Sequence, residues 1–130
     1  MLKKILFFVI TLLVTGCTSK GSWNFKTDYF EIEVNDKGYI TSMQNTTVSP
    51  CREFAIEDKP SPVLSLYNSG EKEYYYPFHA AFNSQTNILT VDYPNGSVAE
   101  IAMEPKGKYI KMTLLDLSPR NGVDDVQWGR

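Results

Sequence analysis

Histidine and cysteine are the scarcest reactive residues of this chain, one and two respectively among 130. That scarcity removes whole classes of function. A structural zinc site takes four Cys or His ligands and a catalytic one three protein ligands. Thiol catalysis needs a base beside the sulfur, and His79 is the sole imidazole. No P-loop, dinucleotide loop or paired-histidine metalloprotease helix is present, and no cofactor or metal is expected. Lys and Arg total 13 against 15 Asp and Glu, with no basic cluster, which argues against nucleic acid as a partner, because grip on phosphates rests on clustered cations. Long apolar runs are missing too. The longest, "ILFFVITLLV" at residues 5–14, falls well short of the roughly twenty residues of a membrane span. Outside it no stretch keeps a helical period, and the length leaves room for one domain.

What is present begins with that short run. It follows Lys3 and Lys4 and leads through small Thr15 and Gly16 to Cys17, the layout of an export signal. An ordinary secretory leader with an incidental cysteine would end in an Ala-x-Ala type site. "VTGC" instead resembles the lipobox of bacterial lipoproteins, which implies cleavage after residue 16 and acylation of the Cys17 sulfur, with palmitate-type chains holding the protein to a bilayer. Each buried methylene contributes roughly 0.8 kcal/mol, and two or more chains on one residue give lasting anchorage. Thr18 in place of Asp after the cysteine points to the outer membrane of a Gram-negative envelope, on its periplasmic or its exterior side. Removing the leader leaves 11 basic against 15 acidic residues, a net charge of −4. With Cys17 lipidated, Cys51 is an odd thiol, so no internal disulfide is expected; its setting in "VSPCREF" reads as a half-buried small apolar residue.

The expected organisation is a signal peptide over 1–16, a lipidated tether over 17–26, and a β-sandwich domain over 27–130. "DYFEIEVNDKGYITSMQN" alternates, placing Phe30, Ile32 and Val34 on one face and Tyr29, Glu31 and Glu33 on the other, with Gly38 in the turn. "PVLSLYN" sets Leu64 and Leu66 against Val63, Ser65 and Tyr67. Two hairpins follow, the second turning at Asn95-Gly96, with Ala99, Ile101 and Met103 inward and Glu100 and Glu104 in water. After a turn at Lys106-Gly107 come Ile110, Met112 and Leu114 inward, and the phase breaks at Leu115 and Leu117, which predicts a bulge or a strand buried on both faces. "VDDVQWG" reads as one more strand beginning. Turn signals every eight to twelve residues make this an all-β, antiparallel sandwich or barrel.

The runs "TDYFEIEVNDKGYITSMQN", "YPNGSVAEIAMEPKGKYIKMTLLDLSP" and "GVDDVQWG" resemble the N-terminal β-sandwich, of the galactose-mutarotase-like supersandwich class, of large exported glycan-degrading enzymes of Bacteroidetes type. The resemblance implies an accessory domain that packs on a catalytic barrel and shapes one wall of its cleft. It also implies a domain incomplete at its C-terminus, part of a longer chain whose carboxylates, those of a glycoside hydrolase, come later. The alternative is a complete small envelope lipoprotein that binds carbohydrate or lipid or serves assembly.

Glycoside hydrolysis needs two carboxyl groups facing across a bond. Glu31 with Glu33, and Glu100 with Glu104, share strand faces but read as solvated surface, so no catalytic residue is expected. Asp124 and Asp125 lack the oxygen-rich spacing that Ca²⁺ requires. Arg120 in "SPRNG" reads as a surface turn residue. The segment "EYYYPFHAAF" concentrates aromatics and the single histidine, and Tyr74, Tyr76 and His79, together with Trp128, are the candidate carbohydrate contacts, because aromatic faces can stack on sugar rings.

Overall fold

A computed structural model describes residues 21–129; the signal, Cys17 and Arg130 lie outside the described residues. The described chain is all-β. It runs as β1 (Ser22–Lys26), β2 (Phe30–Asn35), β3 (Tyr39–Asn45), β4 (Arg52–Glu53), β5 (Ser61–Pro62), β6 (Leu64–Asn68), β7 (Glu73–Tyr75), β8 (His79–Asn83), β9 (Ile88–Asp92), β10 (Val98–Pro105), β11 (Ile110–Ser118) and β12 (Asp125–Trp128). No helix among the described residues is long and apolar enough to cross a membrane.

Three antiparallel sheets result: β1-β2-β3-β4 with β5 also on β3, β11-β10-β9-β8, and β12-β6-β7. The second is a meander built by the two expected hairpins. At Asn95-Gly96 the chain reverses with Gly96 at φ +86°, a left-handed value that costs glycine nothing, while the Tyr93 and Ser97 backbones close the turn at 3.0 Å. Alternation places Ala99, Ile101 and Met103 at zero exposure and Glu100 in water. The phase break is a bulge: Ile101 pairs with Leu114 and Glu100 with Asp116, so Leu115 has no partner on β10 and stands exposed.

The core lies where the first and third sheets cover the second. Phe82 on β8 meets Phe25 of β1 edge-on at 5.0 Å and Trp23 at 6.3 Å between ring centres. Ser22–Lys26 is therefore a strand of the sandwich, not the end of a tether: Phe25 is buried and all five residues pair with β2. The third sheet contributes Leu64 and Leu66, both fully buried. β6 also departs from simple alternation, since Ser65 between them is equally buried and its hydroxyl has no hydrogen-bond partner. β6 is the central strand, paired to β12 and β7 along its two edges, and among its residues only Tyr67 keeps partial exposure.

One buried hydroxyl ties the second sheet to the third. Tyr93, next to the Asn95-Gly96 turn, donates from its phenol to the Leu64 carbonyl at 2.7 Å. Burial, and then the proximity of Tyr39, push its pKa upward, so the phenol stays a donor through the neutral range. Tyr93→Phe leaves that carbonyl without this bond and should lower stability by about 1–2 kcal/mol in urea denaturation. An unchanged midpoint would mean the bond adds nothing.

Candidate functional site: an aromatic row and an uncovered apolar face

Residues paired across antiparallel strands point to the same face, and neighbours along a strand to opposite faces. Applied to the third sheet, that rule sorts the candidate residues. Asp125 pairs with Tyr67 and Tyr67 with Tyr74, so the three form a row across the sheet. Tyr76, two residues past Tyr74, continues it. The rings confirm the arrangement: Tyr67 and Tyr74 lie 4.6 Å apart between centres, and Tyr74 and Tyr76 lie 6.2 Å apart with planes 13° from parallel. Ser65 and its partner Gln127 share this face. Leu64, Leu66, Val126 and Tyr75 occupy the other and pack into the core.

The other two candidates do not join the row. Trp128 pairs with Leu64, three residues along β6 from Tyr67, so it belongs to the opposite face. His79 starts β8 and places Nδ1 2.7 Å from Asp92 Oδ2 across the β8–β9 ladder. This is an exposed pair holding a strand end. Cys51 is exposed, not half-buried as its context suggests, and precedes β4 at the end of β3 opposite the turn that lies against β8, far from His79. No thiol–imidazole pair exists among the described residues.

Most of the carboxylates are equally dispersed. Glu33 accepts from the Thr41 hydroxyl at 3.0 Å and, with Glu31, lies on the polar outer face of the first sheet. Glu104 lies 3.6 Å from Lys106, while Glu100 faces solvent. Asp124 takes both the amide and the hydroxyl of Ser69, hydrogen bonds that hold its pKa below the ordinary value and staple the start of β12 to the β6–β7 turn. It borders a cleft of about 390 Å³ between β11 and β12 with Arg120, Asp116 and Asp125, yet its oxygens are already engaged. No group of three or more potential metal ligands exists among the described residues.

A second feature was not apparent from sequence pattern. Met43 pairs with Ile32 and Ile40 with Val34, so both lie on the core-facing side of the first sheet. Ile32 and Val34 are buried there, whereas Met43 is 37% exposed, Phe54 53% and Ile56 66%. The cover over this face ends at β2. What remains is a pair of adjoining apolar depressions, about 390 Å³ between Tyr29, Phe30, Met43 and Phe54, and about 320 Å³ between Ile40, Met43, Phe54 and Ile56, the latter bordered by Gly129. Tyr29, placed outward by alternation, contributes to its rim. The only sequence signal was apolar Phe54 and Ile56 inside a turn-rich segment.

Glu53 builds the edge of that face. Its carboxylate accepts from the Ser42 hydroxyl at 2.5 Å and from the Met43 and Ala55 amides at 2.6 and 2.8 Å. Desolvation would raise its pKa, but these bonds, with one from Gln44, outweigh it and lower the value from 4.5 to about 2. A folded pKa below the unfolded one means the contribution is full above about pH 5 and is lost as pH falls from there through about 2. Hydrogen exchange at the Met43 and Ala55 amides should accelerate across that window beyond the intrinsic pH trend. In Glu53→Gln it should be roughly tenfold faster already at neutral pH. Equal protection in the two proteins would remove Glu53 from this role.

No protein-family model matches the chain, and neither a curated protein nor a solved structure is significantly similar to it.

Proposed function

We propose that the chain is a lipid-tethered, non-catalytic β-sandwich whose uncovered apolar face docks the catalytic domain of a glycan-degrading enzyme, placing that domain and its substrate at the outer membrane. The observation that carries this reading is the exposed inner face of the first sheet. A core-facing surface bearing Met43, Phe54 and Ile56 in water costs stability that a packed partner would recover, and contiguous apolar patches of this kind mark docking sites. The carboxylates outside the β11–β12 cleft are dispersed, and within it Asp124 is engaged by Ser69, which supports a scaffold rather than an enzyme. Gly129 borders the face, so a domain following in the same chain would leave at the surface it has to cover. The lipobox-like "VTGC" supports the tether.

Two measurements test it. Mass spectrometry of the envelope-derived protein should find Cys17 at the N-terminus carrying diacylglyceryl and a further acyl chain; an intact, unmodified thiol overturns the tether. Calorimetric titration of the chain against the glycoside hydrolase domain encoded in the same frame or beside it should give micromolar or tighter binding. Absence of heat at high micromolar concentration, or turnover of chromogenic glycosides by the chain alone, overturns the scaffold reading.

A further inference from the structure

From the row on the third sheet we infer a binding site for a neutral polysaccharide strand, formed by Tyr67, Tyr74 and Tyr76 with Asp125 and Gln127. It names a ligand for the same envelope setting, but stands on this row and not on the docking face, so either can fail alone.

The chemistry follows from what the face presents. Sugar rings offer one apolar C–H face and a girdle of hydroxyls, and they are held where an aromatic surface meets donors and acceptors at its margin. Here Tyr76, just past the end of β7, stands two residues from Tyr74 with a near-parallel ring, and Tyr67 abuts Tyr74 from the neighbouring strand. The register sets them in order: Tyr67 lies between Tyr74 and Asp125, and Gln127 follows Asp125 on the same face. Adjacent strands are about 4.8 Å apart, so the row from Tyr74 to Asp125 spans about 10 Å, and the Tyr76 ring, 6.2 Å from that of Tyr74, lengthens it. That length suits a strand of two or three sugars better than a single one. An aromatic side with an exposed carboxylate and amide at its far end supplies both kinds of contact.

Charge selects among glycans. Asp125 is the one charged member of the row, and neither lysine nor arginine stands in it. An anionic chain, such as a uronan or a sulfated glycan, meets repulsion at the Asp125 end with no cation in the row to offset it, as does a nucleic-acid backbone. A neutral glucan or mannan does not. The parity that excludes Trp128 from this face also supplies an internal control.

The test is affinity electrophoresis and calorimetry of the full chain in a detergent without a sugar headgroup, against soluble neutral β-glucan, neutral mannan and polygalacturonate. Retardation by at least one neutral polymer and none by polygalacturonate is expected. Tyr74→Ala and Tyr76→Ala should each weaken that binding about tenfold, Tyr76→Phe less than threefold, and Trp128→Ala not at all. Circular dichroism checks that each variant is folded; Tyr76, 40% exposed, serves if Tyr74→Ala is not. Binding to polygalacturonate alone, no binding to either neutral polymer, or full binding by folded Tyr76→Ala overturns the inference.

Discussion

Gly38→Val is expected to destabilise the chain by about 3–5 kcal/mol, a large share of the roughly 5–15 kcal/mol that holds a domain together. Two costs add. Gly38 has φ +87°, and a left-handed backbone costs an L-residue about 1–2 kcal/mol, more when it is β-branched. A Cβ there would also stand 2.8 Å from the Cβ of Pro77 and 3.3 Å from a Val91 methyl, so backbone must move, typically at about 1–3 kcal/mol. Position makes the strain consequential. The Gly38 amide closes the β2–β3 turn onto Asn35, its carbonyl accepts from Val63, which leads into β6, and its flank lies against Pro77 and Val91 before and within the second sheet. All three sheets meet at this residue. The measurement is thermal denaturation, where a fall of about 15 °C or more is expected for a domain of this size. A fall under 3 °C would show that the corner yields and that the sheets are joined elsewhere.

Placing carboxylates in the apolar face, Met43→Asp with Phe54→Asp, should leave the isolated fold nearly unchanged and abolish docking. Phe54 is more than half exposed and Met43 more than a third, so only part of their burial is lost. The β3–β4 contact rests on the Phe54 amide and the Met43 carbonyl at 2.8 Å and on Glu53, none of which the substitutions remove. In a complex the same positions would carry two unpaired charges where two apolar groups were to be buried, each worth about 1.5–3 kcal/mol. Docking should therefore weaken by at least about a hundredfold by calorimetry. A partner-free readout accompanies it: an apolar dye should fluoresce with the parent chain and much less with the variant. Unchanged dye fluorescence would mean this face is not the exposed apolar surface that matters.

Much of the fold could be read from residues alone because alternation is local. β2 and β10 show their inward sets directly, glycines mark their turns, and the repeated leucines at 114, 115 and 117 announced the bulge. The third sheet was not legible. β12 and β6 are joined by register across some sixty residues, a pairing that no local pattern shows. The same register decides the site. Tyr74 and Tyr76 stand together because they are two apart in extended chain at the end of β7, a spacing that sequence shows. Trp128 leaves them because its partner is Leu64, which sequence does not show. The uncovered face was hidden for another reason: Phe54 and Ile56 lie near a two-residue strand in irregular chain, where no period betrays the side on which a residue falls.

The unpaired residue on β11 has a consequence for crowding. That strand is the long outer rim of the second sheet, nine residues with one margin unpaired by any described strand, the kind of rim along which identical molecules can add to one another without limit. At Leu115 an arriving strand would face two residues where it offers one, and Lys111 sets a charge near the other end of the same margin. A population confined to two dimensions by the proposed lipid anchor would meet rim to rim far more often than in free solution. The interruption would then work against the growth of such encounters into fibres.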